Sequence, residues 1–146
     1  MTFTGFARTI TLTALMALGT AAPLMADGNR VTFDQWGRDN ALGVAQYGSR
    51  NRLSVTQDGW QNNAIATQDG ARNRTVLGQT GFRNQVTTDQ TGRCNILGVA
   101  QFGAYNTAEA TQAGGCNALA IIQGGQGGRV VTRQSGRGNV AVIVQD

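Results

Sequence analysis

Asn40-Ala-Leu-Gly-Val-Ala-Gln46-Tyr-Gly48-Ser-Arg-Asn51 holds the plan of this 146-residue chain. Counting from Asn40, apolar residues stand two and four places on (Leu42, Val44), glutamine six (Gln46) and glycine eight (Gly48), and at the eleventh place asparagine returns. Alternation of this kind over five to seven residues is the mark of a half-buried strand. Side chains along a strand alternate faces, so Asn40, Leu42, Val44 and Gln46 share one face, and that face is the interior. Glycine permits positive φ, and asparagine tolerates the left-handed region and bonds nearby backbone. The segment Gln-x-Gly-x-x-Asn is therefore expected to turn the chain.

The same unit recurs to the end of the chain without an insertion or deletion. Glutamine stands at Gln35, Gln46, Gln57, Gln68, Gln79, Gln90, Gln101, Gln112, Gln123, Gln134 and Gln145. Glycine follows two places on, at Gly37, Gly48, Gly59, Gly70, Gly81, Gly92, Gly103, Gly114, Gly125 and Gly136. Asparagine comes three places later, at Asn40, Asn51, Asn62, Asn73, Asn84, Asn95, Asn106, Asn117 and Asn139, with Gly128 the exception. The positions two and four after each unit start are apolar or Thr throughout, from Val31 and Phe33 to Ala141 and Ile143. Such self-similarity defines an array fold.

The expected fold is all-β: a β-solenoid, a cross-β-like stack of eleven 11-residue strand-turn units beginning at Asn29, with two units, 22 residues, per rung. At roughly 4.8 Å per rung the column stands about 25 Å tall. An unpaired buried amide is costly. Identical amides one rung apart can donate and accept along the column, so ladders of Asn with Asn and of Gln with Gln are expected. An eleven-residue period also fits a right-handed coiled coil, but the apolar pairs show strand parity, and a glycine would fall in every third helical turn. Asn40–Gln46 and Asn95–Gln101 nearly match across 55 residues, an odd number of units, which suggests that the two sides of a rung are interchangeable.

Residues 1–26 read as a secretory signal. Arg8 supplies positive charge, Ile10 to Leu18 is an apolar run too short to span a bilayer, and Pro23-Leu24-Met25-Ala26 precedes a cut after Ala26. The competing reading, a buried N-terminal helix, is disfavoured because the repeat begins directly after it. Residues 27–146 then form one domain. Beyond Ala26 there is no Lys and no His, and eleven Arg stand against eight acids. That charge is weak and scattered along the sequence, which argues against a nucleic-acid footprint and for a solvated, self-repelling surface. The only proline is Pro23, and the fixed apolar register argues against disorder.

Asn-x-Ala-x-x-x-Gln and Gln-x-Gly-x-x-Asn resemble the two halves of the curlin repeat. They read here as Asn62-Asn-Ala-Ile-Ala-Thr-Gln68-Asp-Gly-Ala-Arg-Asn73 and Asn106-Thr-Ala-Glu-Ala-Thr-Gln112-Ala-Gly-Gly-Cys-Asn117. The resemblance runs over residues 29–146 and implies a structural subunit of curli fibres, an extracellular functional amyloid of Gram-negative bacteria. It implies self-polymerisation on the cell surface, adhesion and biofilm scaffolding. The partners implied are a second curlin subunit and secretion and assembly factors; nucleic acid and a membrane span are not implied.

Three features depart from the family. Only Asp27 and Gly28 precede Asn29 after the expected cut, where many curlin subunits carry a polar Gly-rich leader, so the export signal is in question. Nearly every unit opens with Asn, where the family alternates Ser and Asn. Val140-Ala-Val-Ile-Val144 is apolar on both faces, as in the divergent last unit of the minor, nucleating curlin. Main subunit and nucleator both stay open. The repeat runs to Asp146, so uncapped ends and end-to-end growth are expected.

Cys94 and Cys116 are 22 residues apart, one rung, and each precedes a turn Asn. Stacking brings their Cα atoms within disulfide range, and an oxidising exterior favours the bond. A staple between rungs and a stacked pair of free thiols are both open.

With no His, no Ser-His or Cys-His pair exists, and two Cys alone make a metal site improbable. No catalytic residue, cofactor or metal is expected. Asp58 and Asp69 read as brakes on aggregation. Gly124-Gly-Gln-Gly-Gly128 lacks the Lys and helix of a phosphate loop. Trp36, Tyr47, Trp60, Phe82, Phe102 and Tyr105 are expected in turns, for lateral packing or sugar contact. The alternative function is a monomeric secreted solenoid that binds polysaccharide or ice. It needs a regular outward ladder of Thr, which the intervening positions lack.

Overall fold

The computed structural model describes residues 28–146; the expected signal segment, its cut and Asp27 lie outside the described residues. Eleven strands follow one another: β1 (Arg30–Arg38), β2 (Ala41–Ser49), β3 (Arg52–Trp60), β4 (Asn63–Ala71), β5 (Arg74–Phe82), β6 (Gln85–Arg93), β7 (Ile96–Ala104), β8 (Thr107–Gly115), β9 (Ala118–Gln123), β10 (Arg129–Arg137) and β11 (Val140–Gln145). The odd strands form one six-stranded sheet in the order β1-β3-β5-β7-β9-β11, and the even strands a five-stranded sheet in the order β10-β8-β6-β4-β2. All pairs are parallel and offset by one rung, as in Leu53↔Thr75 and Gln57↔Gln79. The chain is a β-solenoid. Each strand crosses to the opposite sheet, and the next returns one level up, so identical positions stack.

The inner faces of the two sheets meet in the core. Asn51, Leu53, Val55 and Gln57 are buried while Arg52, Ser54 and Thr56 between them are exposed, the alternation the sequence carries. The two sides are not interchangeable, however. The odd sheet contributes Leu53, Val55, Leu77, Leu97, Val99, Leu119 and Ile121, whereas the even sheet contributes mostly small residues, Ala64, Ala66, Ala108 and Ala110, with Val86 and Val130. Large side chains of one sheet facing small ones of the other fill the thin core between them.

The strands run further than the sequence pattern suggests, and the reversal falls elsewhere. β3 extends through Gly59 to Trp60, and the repeat glycines lie inside strands except Gly125, which follows the end of β9 at Gln123. Their positive φ, 105° at Gly37 and 121° at Gly59, bends the strand without ending it. The chain reverses at the residue before each asparagine. Asp39, Arg50, Gln61, Arg72, Arg83, Cys94, Tyr105 and Cys116 all have φ between 54° and 63°. The asparagine was expected to take the left-handed conformation; its neighbour takes it instead, because the asparagine side chain is committed to the interior. Trp36, Tyr47 and Phe102 accordingly sit within strands, Trp60 and Phe82 close them, and only Tyr105 is a turn residue.

Candidate functional site

Two amide columns run the height of the solenoid. In the odd sheet, Gln57 Nε2 donates to Gln79 Oε1 at 2.8 Å, Gln79 to Gln101 at 2.9 Å, Gln101 to Gln123 at 2.9 Å and Gln123 to Gln145 at 3.0 Å. Gln35 donates to Gln57 at the foot of this column. In the even sheet the steps are Gln46 to Gln68, 2.6 Å, Gln68 to Gln90, 2.9 Å, Gln90 to Gln112, 2.8 Å, and Gln112 to Gln134, 2.8 Å. From Gln46 to Gln134 each Nε2 also ties the sheets together: Gln57 donates to the Ala41 carbonyl at 3.1 Å and Gln79 to that of Asn63 at 3.1 Å. From Gln57 to Gln123 these side chains are 0–1% exposed.

The asparagines form a different ladder from the amide-to-amide one expected. Each Oδ1 accepts the backbone N–H of the asparagine one rung on: Asn40 from Asn62 at 3.0 Å, Asn51 from Asn73 at 3.0 Å and Asn84 from Asn106 at 3.1 Å. From Asn40 to Asn117 each Nδ2 donates to the carbonyl four residues back and to a repeat glycine of the next rung, as Asn51 does to Tyr47, 2.8 Å, and Gly70, 3.0 Å. Direct Asn-to-Asn amide bonds occur only near the far end, Asn117 to Asn95 and Asn139 to Asn117, both 3.2 Å. The reason is geometric. Just after a reversal, the strand-opening N–H and the glycine carbonyl need partners, and a short side chain reaches backbone before it reaches its own kind. At the break in the pattern, the Gly128 N–H still bonds Asn106 Oδ1, 2.9 Å, but Gly128 offers no Oδ1 to a following rung.

The repeat glycines complete this arrangement. A Cβ placed on Gly59 would overlap the Gly81 carbonyl oxygen, which accepts from Asn62 Nδ2 at 3.1 Å. The tight rung contact and the positive φ thus demand glycine for two reasons. Thr75, expected simply to fill the core, has a task as well: its Oγ1 accepts from Gln68 Nε2, 3.0 Å, and donates to Gln90 Oε1, 2.7 Å, bridging the sheets. Among the described residues no buried side-chain N or O lacks a partner.

Cys94 and Cys116 are bonded, with Cα atoms 4.4 Å apart across one rung. They occupy successive left-handed turn positions on one edge of the solenoid. On the opposite edge Phe82 and Tyr105 pack edge-to-face, centroids 5.4 Å apart, and the Arg83 guanidinium lies 4.8 Å over the Phe82 ring. Positive charge, scattered in the sequence, is gathered in space. The turns that lead from even to odd strands carry Arg50 and Arg72, and the odd strands that follow open with Arg30, Arg52 and Arg74. A 22-residue period sends every second unit to the same edge.

At the N-terminal end the inner face lies open. Val31 and Phe33 of β1 are 42% and 58% exposed, against 3% and 1% for Leu53 and Val55 at the matching positions of β3. Among the described residues β1 bonds only to β3, β2 only to β4, β10 only to β8 and β11 only to β9, so each keeps one free ladder edge. No cluster of three or more His, Cys, Asp or Glu that could hold a metal exists among the described residues. Nor is any helix there long and apolar enough to cross a membrane.

The curlin associated repeat matches residues 48–81, from one repeat glycine to another, and the β-solenoid fits the curlin resemblance. No curated protein matches the chain. The register within 48–81 continues unbroken in both directions, since each strand pair from β1 to β11 keeps the same one-rung offset.

Proposed function

We propose that this chain is a secreted structural subunit of a curli-type amyloid fibre that grows by end-to-end stacking. Residues 1–26 are removed on export and residues 27–146 form the repeat domain. The observation that carries this reading is the pair of open ends. Among the described residues, β1 and β2 at one end and β10 and β11 at the other offer unpaired strand edges in the register that every internal pair uses. Such edges template addition of another chain. Exposed Val31, Phe33 and Val44 at the first rung add an apolar drive, since burying an aliphatic or aromatic side chain contributes about 1.5–3 kcal/mol. The glutamine columns end on Gln134 and Gln145 at one end and begin on Gln35 and Gln46 at the other, so stacking extends them. The fibre so formed serves cell adhesion and biofilm matrix on the surface of a Gram-negative cell. Its partners are further copies, a second curlin and the export and assembly factors.

The test is thioflavin T fluorescence with fibre diffraction on protein beginning at residue 27, diluted from denaturant. Polymerisation after a lag, with a meridional repeat at about 4.7–4.8 Å, is the expected result for a main subunit. Growth without a lag that seeds a second curlin assigns the nucleator role. A chain that stays monomeric and soluble overturns the fibre reading and favours a monomeric binding solenoid.

A further inference from the structure

The arginine edge has no counterpart elsewhere on the solenoid. Arg30, Arg52 and Arg74 open three consecutive strands of the odd sheet in direct register, so their guanidinium groups leave the outer face one rung apart. Arg50 and Arg72 stand beside them in the preceding turns, and Arg93 closes β6 on the same edge. All six are exposed. Asp69, near the end of β4, is among the described residues the one acid close to this edge, whereas on the opposite edge Arg38 and Arg83 stand near Asp39 and Asp58. Like charges placed directly opposite on neighbouring strands repel. Among the described residues the guanidinium hydrogen bond that forms is that of Arg83 with Gln61, on the other edge. The stacked arginines are thus held together by backbone register, with Asp69 the acid on their edge among the described residues.

The surroundings narrow the kind of anion that fits. Arg30, Arg52 and Arg74 line a shallow groove on the outer face together with Thr32 and Ser54, whose hydroxyls suit hydrogen bonds to sugar hydroxyls. The column runs rung by rung along the solenoid, which favours an extended polymer with closely spaced negative groups. Trp36, Trp60, Phe82, Phe102 and Tyr105 lie on the opposite edge, which leaves Tyr47 as the aromatic residue here. A single-stranded nucleic acid needs a row of stacking aromatics in its groove. A polyuronate needs none, and its carboxylates match the planar fork of arginine.

We propose that this edge binds an acidic polysaccharide, with carboxylates of successive sugars seated on the Arg30–Arg52–Arg74 ladder and on the Arg50 and Arg72 corner. The site runs along the side of the solenoid: of the three ladder residues Arg52 and Arg74 stand on inner strands and Arg30 on the terminal strand β1. The test uses the immobilised full chain, so that its assembly state does not enter. Polygalacturonate, the same polymer fully methyl-esterified, and duplex DNA are passed over it at several salt concentrations. Two charge-matched variants are compared: R50Q/R52Q/R72Q/R74Q on the edge, and R38Q/R83Q/R129Q/R133Q away from it.

The expected result is salt-sensitive binding of polygalacturonate, none of the ester, and weaker binding of DNA. The edge variant loses about tenfold or more in affinity, because one charge-assisted hydrogen bond by itself contributes roughly that factor. The control variant stays close to the parent. Equal losses in the two variants overturn the proposal in favour of diffuse attraction. Tighter binding of DNA than of polygalacturonate overturns it in favour of a nucleic-acid edge. Circular dichroism of both variants shows that the strands are intact, as expected for exposed side chains.

Discussion

The side-chain oxygen of Asn51 accepts the backbone N–H of Asn73 at 3.0 Å, one full rung away. A side chain thus closes a gap that backbone pairing alone leaves, just where each strand begins after its reversal. The same side chain gives its Nδ2 to the Tyr47 and Gly70 carbonyls. One residue holds its own turn, the next turn and the next strand in place.

Asn51→Ala strands the buried Asn73 N–H and two carbonyls. An orphaned buried donor or acceptor costs about 1–3 kcal/mol, and the expected loss lies at or above the upper end. Asn51→Asp keeps the acceptor but removes both donations, so it is also expected to destabilise. Urea midpoints of the three chains measure this; an unchanged midpoint for Asn51→Ala would show the ladder to be decorative.

Gln79 sits in mid-column, accepting from Gln57 and donating to Gln101 and Asn63. Gln79→Leu keeps the volume and removes the amide, leaving at least two partners unpaired at about 1–3 kcal/mol each. Gln79→Glu adds a buried carboxyl. Burial disfavours its charged form and raises its pKa in the folded state. Such a group lowers stability most at neutral pH and less as pH falls through the raised pKa, where it becomes neutral. Denaturation at neutral and acidic pH separates the two variants, with the pH-dependent part expected for Glu alone.

Glycines of two kinds occur, and they predict opposite outcomes. Gly59 has φ 121° and a Cβ there meets the Gly81 carbonyl, so Gly59→Ala is expected to cost several kcal/mol, more than the roughly 0.4–1 kcal/mol by which a compatible Gly→Ala change stabilises. Gly78 and Gly98 have nothing within 4 Å of such a Cβ and no positive φ. Gly78→Ala is therefore expected to be neutral or to stabilise by that smaller amount. Thermal melts of the two single variants suffice, and similar melts would contradict the packing argument.

The Cys94–Cys116 bond closes a 22-residue loop. Loop closure of that length removes denatured-state entropy equivalent to about 3 kcal/mol. Reductant, or the double change Cys94→Ser and Cys116→Ser, is expected to lower the unfolding midpoint accordingly. Alkylation of the denatured, unreduced chain followed by mass measurement checks the bond directly; two labelled thiols would sink the prediction.

Much of the fold was legible because the period is short and unbroken. Leu53, Val55 and Gln57 could be assigned to one face from strand parity, and the pairing of Gln57 with Gln79 from the 22-residue rung. The reversal was less legible. Asn is the usual resident of left-handed turns, but Asp39, Arg50 and Cys94 took that role here, since the Asn side chain has more bonds to make inside. The asparagine ladder was misjudged for the same reason, as chemical identity suggested amide-to-amide bonds while the nearest unmet groups were backbone.

Sequence by itself determined the strand parity, the one-rung register and the need for a partner at every buried amide, because a strict repeat places identical atoms at identical heights. Only the tertiary structure decided that the odd and even units keep each to its own sheet through all eleven strands. With two units per rung, residues 22 apart become neighbours, and because successive strands run in opposite directions the glutamine of one faces the second core position of the other, as Gln68 faces Thr75. That sorting set large side chains of the odd sheet against small ones of the even sheet and drew arginines scattered along the chain onto one edge. It also put aromatic residues on the other edge. A linear pattern shows how often a residue recurs, but the side on which it recurs is fixed by how many units close a turn.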